Sequence, residues 1–167
     1  MTRRNLILLC LAFGLVVILF MGIVRIIRGP EGIVLKRMDQ LAEVVSMKEF
    51  KALDAIRDAQ DFLKFFTDPV SIETKYGEFN ATHDVESLKN HFLSGRGSAK
   101  TILLEFKNSQ AEARDSKYVT VQTDAYLSAD LKRADPIEYE QTVIFHWKKE
   151  EGKWKIHKVI PSENPDE

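Results

Sequence analysis

Hydrophobic positions fall into three patterns along this chain: an unbroken run, a stripe repeating every three to four residues, and strict alternation. The unbroken run is LILLCLAFGLVVILFMGIV, nineteen residues from Leu6 to Val24 without a charge. As a helix rising ~1.5 Å per residue it spans about 28 Å, enough to cross the hydrocarbon core of a bilayer. It continues into Arg25, Ile26, Ile27 and Arg28 with no small-residue cleavage site, and it is longer than the apolar core of a signal peptide. Residues 1–28 are therefore expected to be an uncleaved transmembrane anchor. Gly29, Pro30 and Gly32 then interrupt the run and predict a linker over 29–33.

The helical stripe follows. Val34, Leu35, Met38, Leu41, Ala42 and Val45 share one face of a first helix. Ser46 and Glu49 have the spacing of a capping box, predicting a second helix with Phe50, Leu53, Ile56, Leu63 and Phe66 as its buried stripe, ended by Thr67, Asp68 and Pro69. Val70, Ile72, Thr74 and Tyr76 alternate with Ser71, Glu73 and Lys75 as a strand. A shorter helix with Val85, Leu88 and Phe92 on one side is expected after Asp84, stopped by Gly95 and Gly97. From there alternation dominates: Ile102, Leu104 and Phe106, then Val119, Val121, Ala125 and Leu127, then residues 137 to 147 and a last strand.

The final pair reads as a hairpin around Lys148 to Lys153. With the turn centred on Glu150 and Glu151, Trp147 opposes Trp154, Phe145 opposes Ile156, and Val143 opposes Lys158. Val143, Phe145, Trp147, Trp154 and Ile156 then form the packing face, while His146 and His157 fall on the polar face. Those two imidazoles are expected to meet water and titrate near the ordinary value of ~6.5.

Composition changes the picture in a few places. The 167 residues allow one ordinary domain, and 44% hydrophobic with 29% charged residues is globular. Beyond residue 30 there are 20 basic and 25 acidic residues, a formal charge of about −5, which argues against nucleic acid as a partner. The one cysteine, Cys10, lies in the apolar run, leaving the domain without disulfides or thiolate metal ligands. Basic residues stand on both sides of the anchor, at Arg3 and Arg4 and at Arg25 and Arg28. The very short leading tail favours a cytoplasmic amino terminus and an extracytoplasmic domain.

The order helix, helix, strand, helix, four strands predicts an α+β fold with helices on one face of a largely antiparallel sheet. That order, with FTDPVSIE after the second helix and the closing GKWKIHKVI, resembles the nuclear transport factor 2-like (NTF2-like, SnoaL-like) superfamily over roughly residues 33 to 161. The resemblance implies a cone in which a curved sheet wraps the helices and an NTF2-like domain over 34–161; the terminal residues 162–167 are expected to be a disordered tail. The resemblance also implies a pocket in the cone, for which Thr74, Tyr76 and His91 are the candidates. In the ketosteroid isomerases of that group an aspartate base stands near the position held here by Thr74, and threonine cannot serve as a base at neutral pH. Tyr76 is either a pocket residue or a core tyrosine whose hydroxyl reaches the rim, and His91 either looks into the cone or sits at its boundary. Glu73 points to the other face.

No metal or cofactor is expected, since the histidines at 83, 91, 146 and 157 lack close ligand spacing. GRGSAK, residues 95 to 100, lacks phosphate-loop spacing and reads as a connection. Asn80, Ala81 and Thr82 form a sequon that has meaning only in a eukaryotic secretory protein. Two functions follow: a non-catalytic binding or assembly module held at a bilayer, forming a homodimer or meeting a partner in a membrane complex, or a lyase or isomerase taking a small hydrophobic ligand into the cone.

Overall fold

The computed structural model describes residues 29–73 and 81–162. The expected anchor over 6–24, Thr74 and Tyr76, and the tail beyond Ser162 lie outside the described residues. Among the described residues no helix is long and apolar enough to cross a membrane.

The described elements are α1 (Pro30–Val45), α2 (Ala52–Leu63), β1 (Phe66–Ile72), β2 (Ala81–His83), α3 (Val85–Ser98), β3 (Ala99–Ala113), β4 (Tyr118–Leu131), β5 (Ile137–Glu150) and β6 (Lys153–Pro161). The strands form one sheet in the order β2-β1-β6-β5-β4-β3. Every neighbouring pair is antiparallel except β1 with β6. The α+β expectation holds, with helices against one face.

Several boundaries differ from the sequence expectation, each for a physical reason. The segment expected as a linker is the first turn of α1, with Gly29 as N-cap and Pro30 inside the helix start. Proline is accommodated there because its missing N–H would have no partner in a first turn. Val34, Met38 and Leu41 then bury the expected face. Ser46 does not open a capping box; it follows α1 and spans to β3, where its hydroxyl accepts from the Leu104 amide at 3.0 Å.

Helix α2 turns Leu53 and Ile56 of its expected stripe outward, while Leu63 stays packed against the core. Ala55 and Ala59 are buried, while Leu53 is 84% and Ile56 52% exposed. Phe66, expected at the end of that helix, opens β1, and the Thr67-Asp68-Pro69 segment lies inside the strand. Pro69 falls where the β1–β6 register shifts between Phe66 and Ser71, a place where a missing ladder donor is tolerated. Asp84 caps α3 as expected, accepting from the Ser87 amide at 2.7 Å. The helix, however, passes through Gly95 and Gly97 to Ser98. Each glycine costs roughly 1 kcal/mol of helix propensity, and the tertiary anchoring of Arg96 between them offsets it. That guanidinium is 3% exposed, meets Asp58 of α2 at 2.7 Å, and donates to the Val44 and Ser46 carbonyls at the end of α1.

The last hairpin keeps its expected faces in a different register. Its loop is Glu151 and Gly152, at φ 49° and 78°, so both central residues are left-handed as in a type I′ turn. Trp147 consequently pairs with Ile156, not Trp154. The displacement is two positions, which preserves each face. Beyond it the register shifts by one: His146 pairs with Lys158 and Phe145 with Val159, leaving His157 as the extra residue of a bulge. Strict alternation from Ile156 would drive Lys158 into the core. The bulge returns Lys158 to the outer face and sends Val159 inward against the packed cluster.

Candidate functional site

Two places in this fold could receive a ligand: the space between helices and sheet, and the sheet's outer face. The first is occupied by the chain's own side chains. Trp147 and Ile156 are 0% exposed, with Val119 and Val121 of β4 beside them and Val34 and Met38 of α1 across. Phe106 meets Phe145 edge-on at 5.5 Å, and Phe62 stacks on Phe92 at 4.5 Å. The buried polar residues among those described are Thr67, Arg96 and Thr123. Thr67 donates to the Pro69 carbonyl at 2.7 Å, and Thr123 to the Lys107 carbonyl at 2.9 Å. Both hydroxyls are satisfied by backbone, and no carboxylate is buried among the described residues.

At one end of this core the Arg37 guanidinium lies over the Phe65 ring at 4.6 Å and 6.0 Å from the Trp147 ring. Burial lowers its pKa from the ordinary arginine value. Its terminal amine donates to the Lys64 carbonyl at 3.1 Å, tying α1 to the end of α2.

Of the residues expected to line a pocket, Thr74 and Tyr76 lie outside the described residues. His91 is exposed on α3, its ring edge-on to His83 at 5.6 Å. His83 in turn lies 3.5 Å from the Ser87 hydroxyl, so the two imidazoles line the start of α3.

The outer face holds a cleft of about 450 Å³ lined by Arg114, Asp115, Tyr118, Val119, Thr120, His146, Trp147 and His157. Alternation alone puts these histidines in water; in the structure they are half-buried. Cross-strand pairing sets Thr120 against His146, with the hydroxyl 3.4 Å from Nδ1. The His157 bulge brings that ring to 6.0 Å from His146 and edge-on to Tyr118, also at 6.0 Å. The loop between β3 and β4 supplies Arg114 and Asp115. The Asp115 carboxylate accepts from the Lys117 and Tyr118 amides at 2.6 and 2.9 Å.

Both imidazoles are held below the ordinary histidine value. For His146 the cause is first burial, then the Lys158 ammonium, opposed by Glu73. For His157 it is burial, then His146 and Lys148, opposed by Glu150, with Lys158 adding to the depression. The expectation of titration near the ordinary value is corrected: both imidazoles favour the neutral form, with Lys158 and Lys148 beside them while pairing with Glu73 at 2.7 Å and Glu150 at 3.1 Å. The readable signal is Lys158: set opposite Val143, strict alternation would turn it to the packing face, which only a bulge avoids.

A second cleft of about 440 Å³ lies where α1 ends against β3, lined by Glu43, Ser46, Met47, Ile102 and Leu103 among others. Its walls are joined by the paired backbones of Met47 and Ile102.

No protein-family model matches the sequence, and among curated proteins none matches it. Solved structures do. A protein of Novosphingobium aromaticivorans assigned as a scytalone dehydratase superposes with a TM-score of 0.62 at 11% identity, over 77% of this chain and 81% of its own. The association domain of Caenorhabditis elegans CaMKII does so with a TM-score of 0.58 at 9% identity, over 83% and 98%. A hexachlorocyclohexane dehydrochlorinase, LinA type 2, gives 0.51 at 14% identity, over 64% and 72%. At such identities the likeness is one of fold, and the neighbours include enzymes and an assembly domain alike. The helices, the mixed six-stranded sheet and these neighbours together establish that this chain carries an NTF2-like fold.

Proposed function

We propose that the chain is a single-pass membrane protein, anchored by residues 6–24, whose NTF2-like domain is a non-catalytic binding or assembly module. The observation that carries this is the filled space between helices and sheet: Trp147, Ile156, Val121 and Met38 occupy the volume that a substrate would take, with no buried carboxylate among the described residues to act on one. A general base must lie within hydrogen-bond reach of the proton it removes. Thr74 stands where the resemblance would put that base. The CaMKII association domain supports the assembly side of the reading, as the dehydratase and dehydrochlorinase support the alternative.

The full chain separates these. Expressed in cells it is expected to stay with membranes through carbonate extraction, and in detergent to sediment as more than one chain. An uncharged apolar dye such as Nile red is expected to give no saturable fluorescence gain. A monomer that takes up one dye per chain, with quenching of Trp147 and Trp154, would replace this reading with the ligand-binding enzyme. Release by carbonate would remove the anchor.

A further inference from the structure

We infer that the outer-face cleft is a binding site for a small organic oxyanion, a phosphate or carboxylate group carried on a compact apolar body. His146, His157, Thr120 and Tyr118 converge on it from three strands, and Arg114 stands at its rim.

Volume comes first. About 450 Å³ lies within the range of small-molecule sites, roughly 300–1,000 Å³, and exceeds what a bare inorganic ion fills. The Tyr118 ring, partly exposed and packed edge-on to His157, offers an apolar wall for the rest of such a molecule.

Charge comes second. Asp115 is the one carboxylate lining the cleft, and its Oδ1 is engaged by two backbone amides of its own turn. Arg114 forms no ion pair among the described residues. A guanidinium offers paired donors that match a carboxylate or phosphate edge. Lys158 disfavours protonation of both imidazoles and Lys148 that of His157, an ammonium field that Glu73 and Glu150 only oppose in part. An anion relieves that field, whereas a metal cation would add to it.

Donor geometry comes third. His146 has Nδ1 beside the Thr120 hydroxyl. When that hydroxyl donates, the neutral ring carries its proton on Nε2 and can donate to a ligand. The groups facing His146 are Thr120, His157, Lys158 and Glu73; those facing His157 are Tyr118, His146, Lys148, Lys158 and Glu150. A bound oxyanion outweighs the two glutamates and favours the imidazolium form. Binding therefore takes up a proton and strengthens as pH falls.

The test titrates full-length protein in detergent with phenyl phosphate and with benzoate, following the imidazole resonances of His146 and His157 by NMR. At least one probe is expected to saturate, with Kd below about 10 mM and several-fold tighter near pH ~6 than near pH ~8. Both histidines should titrate at higher pH in its presence. The preferred probe tells phosphate from carboxylate. R114Q and the double change H146Q/H157Q should each weaken binding about tenfold, and R114Q, in an exposed loop, keeps the test open if the double variant misfolds. No saturation by either probe at the lower pH, or binding undiminished in R114Q, overturns the site. Because Arg114 and the two histidines lie outside the packed cluster, either result leaves the reading of the filled core standing or falling by its own experiment.

Discussion

Arg96 shows how one buried charge can be structural without being catalytic. Its guanidinium joins three helices: it belongs to α3, pairs with Asp58 of α2 at 2.7 Å, stacks over Phe92 at 4.8 Å, and bonds the last carbonyls of α1. A cation at a helix C-terminus also meets the negative end of the helix dipole. Arg96→Met should therefore destabilise by ~3–5 kcal/mol, the range for breaking a buried pair from one side, and urea denaturation measures it. Arg96→Lys should recover only part, because a point charge cannot reach both partners. The histidine pair makes a different residue-scale prediction. Its folded pKa values lie below the unfolded value of ~6.5, so the unfolded chain binds protons first as pH falls. The contribution of the neutral imidazoles is present above pH ~6.5 and is lost as pH drops through that value toward the folded pKa. H146Q/H157Q should flatten the fall in melting temperature between pH ~7.5 and ~5.5. An unchanged slope would put both imidazoles back in bulk water.

At the scale of elements, α2 is the informative case. A stripe of large apolar residues predicts the buried face only where a neighbour leaves room for them. Here α3 approaches through the Asp58–Arg96 pair and the Phe62–Phe92 stack, and small Ala55 and Ala59 permit that approach. Ala59→Leu should cost ~1–3 kcal/mol by overpacking a side chain that is 0% exposed. Leu53→Ser should stay within about 0.5 kcal/mol. Equal effects would restore the stripe that the spacing suggested. The strands were far more legible. Alternation assigned Val119, Val121, Phe145, Trp147, Trp154 and Ile156 to the core, and all six are buried. Period-two patterning survives a register error of two, which is why the hairpin faces were right while the opposite partners were not. A single inserted residue leaves no compositional mark, so the His157 bulge, and with it the outer cleft, was visible only through the misplaced Lys158. Glycines in GRGSAK concealed Arg96 in the same way, because propensity speaks for a turn and only a tertiary partner overrides it.

At the scale of the whole molecule, element order carried the fold, while pairing order did not show in the sequence. β6 lies between β5 and β1, and Phe66 pairs with Ile156 across most of the domain. The last strand is thus interior to the sheet and carries Trp154 and Ile156 into the core. Translation runs in the opposite sense to this architecture. A nascent chain that has emerged from the ribosome only as far as Glu150 has three helices and the β3-β4-β5 meander outside but leaves β5 and β1 with open edges. Such edges template pairing with other chains. Stalled chains in which a linker spanning the exit tunnel follows Glu150 should be cut rapidly by protease, and chains in which the same linker follows Pro161 should resist. The domain therefore completes its sheet only after synthesis of β6, and until then the edges of β5 and β1 stand open to whatever neighbouring polypeptide could supply the missing strand.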